Sequence, residues 1–265
     1  MKLKFKKQQY QENAIQAVVD CFNGQTSGTR TKIIKVKKED EKDITNWKEP
    51  VVENIISFGN KKIELTSDEL RKNIRSVQKQ NNLDYTDNAG FLNYSIEMET
   101  GTGKTYTYIK TMYELNKNYG WSKFIVMTPS IPIREGVLKT FQITEDHFQE
   151  LYGKKIRYFV YDSNNSANLS NINNFAEDNS IQVMIINYQA FNFNPEVKSV
   201  AKRKIYESLD DLQTRKPIDV IKATNPILIV DEPQKMGKTE DRLTVFEPLF
   251  ILRYSATHKN NFKYN

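Results

Sequence analysis

The stretch Ser95–Leu115, "SIEMETGTGKTYTYIKTMYEL", sets two glycines, a lysine and a threonine between two periodic runs. Upstream, "NYSIEM" (93–98) reads as a strand, and residues from Lys104 to about Asn116 read as a helix. Gly101 and Gly103 let the backbone turn with positive φ and approach a bound group closely. Successive amide N–H groups of Thr100, Gly101, Thr102 and Gly103 then face one concavity at a helix amino end, where the helix dipole favours an anion. In a phosphate loop of this kind Lys104 reaches the terminal phosphates and the Thr105 hydroxyl binds Mg2+. The full pattern, G-x-x-x-x-G-K-[ST], asks for glycine where this chain has Met98, so one position departs from it. The competing reading is a glycine-rich turn with a chance Lys-Thr. The strand–loop–helix context argues against it.

The same rhythm continues downstream. "KFIVMT" (123–128), "KIRYFVY" (155–161), "IQVMIIN" (181–187), "PILIVDE" (226–232) and "LFILRYSAT" (249–257) read as strands. Helices are expected near 132–142 and 197–213, and a polar Asn-rich loop at 162–175 leads into a short helix. Strands alternating with helices imply βαβ units and a parallel sheet, and runs such as "ILIV" are apolar on both faces, as a doubly covered sheet requires. Ligands of such sheets sit at the carboxyl ends of strands. Asp231 and Glu232 end the apolar strand 127 residues after Lys104. Asp231 is placed to complete an Mg2+ shell and Glu232 to deprotonate an attacking water. An ordinary acidic strand end is the alternative, and the upstream glycine loop makes it the poorer one.

The amino-terminal part has a different character. Tyr10, Ala14, Ile15, Val18, Val19 and Phe22 form one helical stripe. Residues 24–85 read as an insertion, with one or two short strands at 50–65 and a capped helix after Thr66 or Ser67. The net charge of +6 sits entirely before the glycine loop: residues 1–80 carry 17 Lys/Arg against 11 Asp/Glu, and residues 81–265 carry 22 of each. Such an excess fits either a polyanion such as nucleic acid or a lysine-solvated surface. Cys21 is the one cysteine, in apolar surroundings, which excludes an internal disulfide and reads as a buried structural thiol. His147 and His258 lack partners at metal-ligand spacing. No apolar run approaches the ~20 residues that span a bilayer. No membrane partner and a cytoplasmic location are therefore expected.

With these residues in hand, the chain resembles superfamily 2 helicases and translocases over residues 1–23 and about 90–260. Within them it is most similar to the motor part of the restriction subunit of type III restriction–modification enzymes. "METGTGKT" resembles the first helicase motif, in which the leading glycine is often replaced. "TPSIPIREG" (128–136) resembles the next motif, which implies DNA phosphate contacts by Ser130 and Arg134. "DEPQ" (231–234) resembles the acidic box, with Gln234 in its fourth place. "RYSATHK" (253–259) resembles the motif that couples hydrolysis to movement, which implies that role for Ser255 and Thr257. "YQENAIQAV" (10–18) resembles an adenine-reading segment with Gln11 the best match, although Gln8 and Gln9 carry the same donor and acceptor.

The resemblance implies an α/β fold, a RecA-like P-loop sandwich with a mostly parallel sheet. It divides the chain into a helix with the glutamine segment (1–23), a basic insertion (24–85) and the first RecA-like ATP-binding domain (86–265). It implies Mg2+-dependent ATP hydrolysis coupled to movement on double-stranded DNA, beside a methylation (Mod) subunit. Eight residues follow Thr257, too few for the second RecA-like domain that brings an arginine finger in such motors. The sequence is therefore expected to be the first motor domain of a longer protein, with weak or no turnover alone. Another superfamily 2 motor acting on DNA or RNA, and a nucleotide- and DNA-binding module without turnover, remain the alternatives.

Overall fold

A computed structural model describes residues 5–38, 51–84, 92–162, 167–190, 204–206 and 215–256, the side chains of 34–38, 51–55, 167–169, 204 and 237–241 excepted. Helices α1 (Gln9–Asp20), α2 (Ser67–Gln80), α3 (Lys104–Tyr119), α4 (Ile131–Tyr152), α5 (Ala167–Glu177) and α6 (Pro217–Lys222) pack around two sheets. Strands β1 (Thr29–Lys38) and β2 (Val51–Asn60) form an antiparallel pair. Strands β3 (Asn93–Glu97), β4 (Lys123–Thr128), β5 (Arg157–Tyr161), β6 (Gln182–Asn187), β7 (Ile227–Asp231) and β8 (Ile251–Ser255) form one sheet in the order β3-β8-β7-β4-β6-β5. Every neighbouring pair in it is parallel.

Side chains alternate across a strand, and here both sides are apolar. Phe124 and Val126 of β4, Val183 and Ile185 of β6, and Ile227 and Ile229 of β7 join one buried cluster with residues of α1, α3 and α4. Ile125, Met127, Met184, Ile186, Leu228 and Val230 join a second cluster with residues of α5 and α6. The molecule is thus a three-layer α/β sandwich. All parallel strands end along one edge of the sheet, and the phosphate-loop candidate lies there.

Several elements exceed the sequence expectation. Helix α4 runs well past 142 because Val137, Phe141, Thr144 and Phe148 keep one face buried until Gly153 caps the helix with φ +66°. Most of the charged helix expected at 197–213 lies outside the described residues, and 204–206 form a single 3-10 turn. The strand ending at Asp231 is separated from the strand before the glycine loop by β8. Thr66 is the cap of α2, in a reciprocal capping box with Glu69. Among the described residues no helix is long and apolar enough to cross a membrane.

The antiparallel pair is tied to the amino ends of the sheet strands, away from the loop. Gly28 donates to the Tyr119 carbonyl at 3.1 Å, and a Cβ on Gly59 would stand 2.8 Å from the Thr224 carbonyl oxygen. Asn60 has no exposed surface. Its Nδ2 donates to the carbonyls of Lys123 (2.8 Å) and Asn225 (3.0 Å). Its Oδ1 accepts from the amides of Ser122 (2.7 Å) and Lys123 (3.0 Å). One side chain therefore joins β2 to the starts of β4 and β7. Asn60→Ala strands four buried backbone groups, and is expected to cost about 3 kcal/mol of stability. A lower denaturant midpoint with an unchanged m-value will show it.

Candidate nucleotide site

The loop between β3 and α3 adopts the conformation its glycines permit. Gly101 and Gly103 have φ of +81° and +84°. Met98, at the position where glycine was expected, has no positive φ and buries its side chain in the core, so no glycine is required there. Its N–H extends the β3–β8 ladder by donating to the Ser255 carbonyl at 2.9 Å. Thr102 closes the loop through its hydroxyl to the Glu99 carbonyl at 2.6 Å. Thr100 and Gly101 lie exposed at the tip. The loop opens α3, sixteen residues long, whose first amides have no intrahelical acceptor.

Helix α1 braces the loop from outside. Gln11 is buried, and its Nε2 donates to the Thr102 carbonyl at 2.8 Å. The Tyr10 hydroxyl donates to the same oxygen at 3.0 Å. A Cβ on Gly103 would stand 2.6 Å from Gln11 Nε2, so a side chain there would displace the Gln11 carboxamide, and the φ of +84° itself favours glycine. Gln9 instead bonds Asn13 on the helix surface, and Gln8 occupies the cap position.

The charged groups meet at the strand ends. Lys104 Nζ lies 3.0 Å from Glu232 Oε1, with 9% and 14% side-chain exposure. It also reaches the carbonyls of Met98 (3.4 Å) and Glu99 (3.5 Å). Glu232 sits in the left-handed region, φ 54° and ψ 56°, a strained place for a residue with a Cβ. Its N–H donates to the Tyr254 carbonyl at 3.0 Å, and its carboxylate accepts from Gln234 Nε2. The Ser255 hydroxyl in turn donates to Gln234 Oε1 at 2.7 Å. The residues singled out at the ends of β7 and β8 are thereby joined in one chain, while Thr257 and His258 lie outside the described residues.

The two adjacent carboxyls titrate in opposite directions. Burial, then the neighbouring Glu232 charge, pushes Asp231 up to about 6. Burial also raises Glu232, but the hydrogen bond and charge of Lys104 together with Gln234 outweigh it and leave Glu232 below its ordinary value. Among the described residues no group of three His, Cys, Asp or Glu side chains converges to hold a metal. Mg2+ here would take Thr105 and Asp231 from the protein and its remaining ligands from phosphate and water.

Ser130 and Arg134 lie at the start of α4, beyond the end of β4 on the same edge of the sheet. The Ser130 carbonyl accepts the Arg134 amide at 3.0 Å, while the guanidinium lies against Glu135 at 2.8 Å. Sequence reasoning missed two groups, Tyr10 on the loop and Tyr108, which is fully buried with its hydroxyl 3.4 Å from Asp231 Oδ2. Tyr108 follows Lys104 by four residues, the helical spacing of one face, and that was the available signal. Cys21 is buried and its thiol pushed up to about 12 by that burial, as expected of a structural cysteine. His147 pairs with the Tyr106 hydroxyl at 3.0 Å.

Comparison with known proteins adds a family. The family model described as type III restriction enzyme, res subunit, matches residues 4–260. The chain is 30% identical over 222 residues to the type III restriction-modification enzyme EcoP15I Res subunit of Escherichia coli, covering 78% of this chain and 23% of that protein. It is 31% identical over 224 residues to the EcoPI Res subunit of Escherichia phage P1, again 23% of that protein. The chain thus spans less than a quarter of the length of these curated relatives.

The raised Asp231 carboxyl makes stability depend on pH. The folded chain keeps this proton up to about pH 6, whereas the unfolded chain releases it near 3.8. Between these values the native state binds more protons, so this group's contribution falls as pH rises. Glu232 acts oppositely, its stabilisation being lost as pH falls below the ordinary glutamate range. In EDTA without nucleotide, Asp231→Asn is expected to stabilise the protein by up to about 3 kcal/mol above pH 6, and by well under about 1 kcal/mol at pH 4. Denaturant titrations at pH 4, 5, 6 and 7.5 measure it.

Proposed function

The chain belongs to the type III restriction enzyme res subunit family, and from that premise we propose that it is an ATP-binding motor domain. In this reading Mg2+-ATP hydrolysis drives movement or switching on double-stranded DNA. It does so inside a longer restriction subunit that works beside a methylation (Mod) subunit in the cytoplasm. The observation that carries the proposal is the meeting of Lys104, at the first residue of α3 behind two left-handed glycines, with Glu232 at 3.0 Å. A cation, a helix amino end and a pair of carboxylates converge where a nucleoside triphosphate needs them.

The residues take the following parts. The amides of residues 100–104 and the Lys104 ammonium bind phosphate oxygens. Thr105 and Asp231 would hold Mg2+, which would supply charge neutralisation on those oxygens. Glu232, kept ionised beside Lys104, accepts a proton from the water that attacks in line. Phosphate drawing Lys104 towards itself frees Glu232 for that task. Gln11 has a carboxamide to offer the adenine edge while its Nε2 stays on the loop. Gln234 and Ser255 carry a change at Glu232 to the end of β8. Ser130 and Arg134 contact the DNA backbone, with Arg134 exchanging Glu135 for phosphate.

The test is ATP binding and hydrolysis by the purified chain, with duplex DNA, RNA or neither. Lys104→Ala is expected to weaken Mg2+-ATP binding by about 10- to 100-fold, the loss of a charge-assisted bond. Turnover is expected to be slow without the rest of the motor, and duplex DNA to be the stronger stimulant. ATP affinity unchanged in Lys104→Ala would sink the proposal.

A further inference from the structure

Helix α1 carries Gln11, yet its first turn has little apolar anchorage. Gln9 and Tyr10 are exposed there, Gln8 provides no side-chain cap, and the buried apolar stripe begins only at Ile15. The far end of the helix is fixed by packing. Val18, Val19 and Phe22 enter the core, and the Tyr119 hydroxyl donates to the Val19 carbonyl at 2.8 Å. The near end is held by polar contacts. Two of them, from Tyr10 and Gln11, grip the Thr102 carbonyl. That oxygen belongs to the loop that must accommodate phosphate, so it cannot locate the helix independently of the loop.

The third contact is of another kind. Lys110, six residues after Lys104 on α3, keeps only 4% of its side chain exposed, and its Nζ is paired with the Glu12 carboxylate. An ammonium taken out of water needs a counter-charge close at hand, and Glu12 supplies it from the neighbouring helix. Helix α3 is itself set firmly in the core by Tyr108, Ile109, Met112 and Leu115, all buried. The pair thus ties the first turn of α1 to a fixed element rather than to the loop. Glu12 is the next residue after Gln11, so whatever fixes its rotation and height in a rigid helix fixes those of Gln11 as well.

We propose that Lys110 and Glu12 are positioning residues for base recognition: their buried ion pair sets the rotation of α1 so that Gln11, held by its Nε2 at the Thr102 carbonyl, presents its Oε1 to the adenine edge. Guanine carries a carbonyl where adenine carries an amine, so an Oε1 fixed in place accepts from one base and repels the other. The inference rests on the nucleotide-site reading. It adds two residues that touch neither base nor phosphate and makes them determinants of which nucleotide is chosen.

The experiment is competition by ATP, GTP and tripolyphosphate against a fluorescent ATP analogue, with Mg2+ present. Wild type, Lys104→Ala, Gln11→Ala, Glu12→Gln, Lys110→Met and Glu12→Gln combined in turn with Lys110→Met and with Gln11→Ala are compared, with thermal unfolding measured alongside. Tripolyphosphate reports the loop and Lys104 without a base. Glu12→Gln and Lys110→Met are each expected to weaken ATP by about 3- to 10-fold, the worth of one hydrogen bond, while GTP and tripolyphosphate hold. The Glu12→Gln/Lys110→Met protein, which leaves no buried charge unpaired, should fold and show the same loss. Glu12→Gln added to Gln11→Ala should cost nothing further, since both act through one carboxamide. A wild-type ATP-to-GTP ratio in the folded Glu12→Gln/Lys110→Met protein, whatever its unfolding temperature, would make the pair a structural contact and overturn the inference alone. Wild type that bound GTP as well as ATP would remove the adenine role of Gln11, and the inference with it, while leaving the phosphate site standing. ATP and tripolyphosphate bound equally well by wild type and Lys104→Ala would overturn the nucleotide-site reading itself.

Discussion

A parallel sheet covered on both faces has no side along its strands for water or charge. The central strands β4, β6 and β7 bury alternate residues in two separate apolar clusters, one under α1, α3 and α4 and the other under α5 and α6. Polar groups are therefore driven to the strand ends, and because all the strands run one way, the two ends differ in character. Carbonyl ends, loop amides and the first turns of the following helices gather on one edge. Among the described residues, the glycine loop, Lys104, Asp231 and Glu232 all lie on that edge.

The opposite edge is braced by buried hydrogen bonds. Asn60 saturates backbone groups at the starts of β4 and β7. Lys123, without exposed surface, donates to the Asp178 carbonyl and lies over the Phe175 ring at 5.7 Å. Burial lowers this ammonium to about 8 despite the nearby Asp178 charge. These groups have structural partners and brace the scaffold. The carboxyl edge is left in a less settled condition. Its lysine is shared among a carboxylate and two carbonyls, its glutamate sits in a strained backbone region, and its aspartate is partly unwilling to ionise. Such local conflict against a consistent background is what a site that must change partners requires.

Much of this was legible in the residues themselves. Positive φ at 101 and 103 follows from glycine, because a side chain is disfavoured there. The apolar strands ending in Asp231 and Ser255 announce a buried parallel sheet by composition alone. Thr66 and Glu69 announce a helix start by a local bond. Helix α4 was underestimated because a buried threonine, Thr144, breaks the apolar stripe that otherwise continues through Phe148. The pairing of β1 with β2 was missed because the charged run at 35–43 masks its alternation, and its strand partner lies across the intervening segment.

Local grammar thus determined where the strands, the phosphate-type loop and the acidic strand end fall, since each depends on backbone sign, periodicity or adjacency within a few residues. Tertiary structure alone decided that β8 separates β3 from β7, that Gln11 rather than Gln8 or Gln9 meets the loop, and that Asn60 closes the amino edge. It also brought Tyr108 against Asp231, 123 residues away. Contacts over such separations leave no local pattern, because a buried tyrosine or asparagine looks the same in sequence whether it fills space or aims a proton. Only the packing of helix on sheet decides which atom its hydroxyl or amide will face.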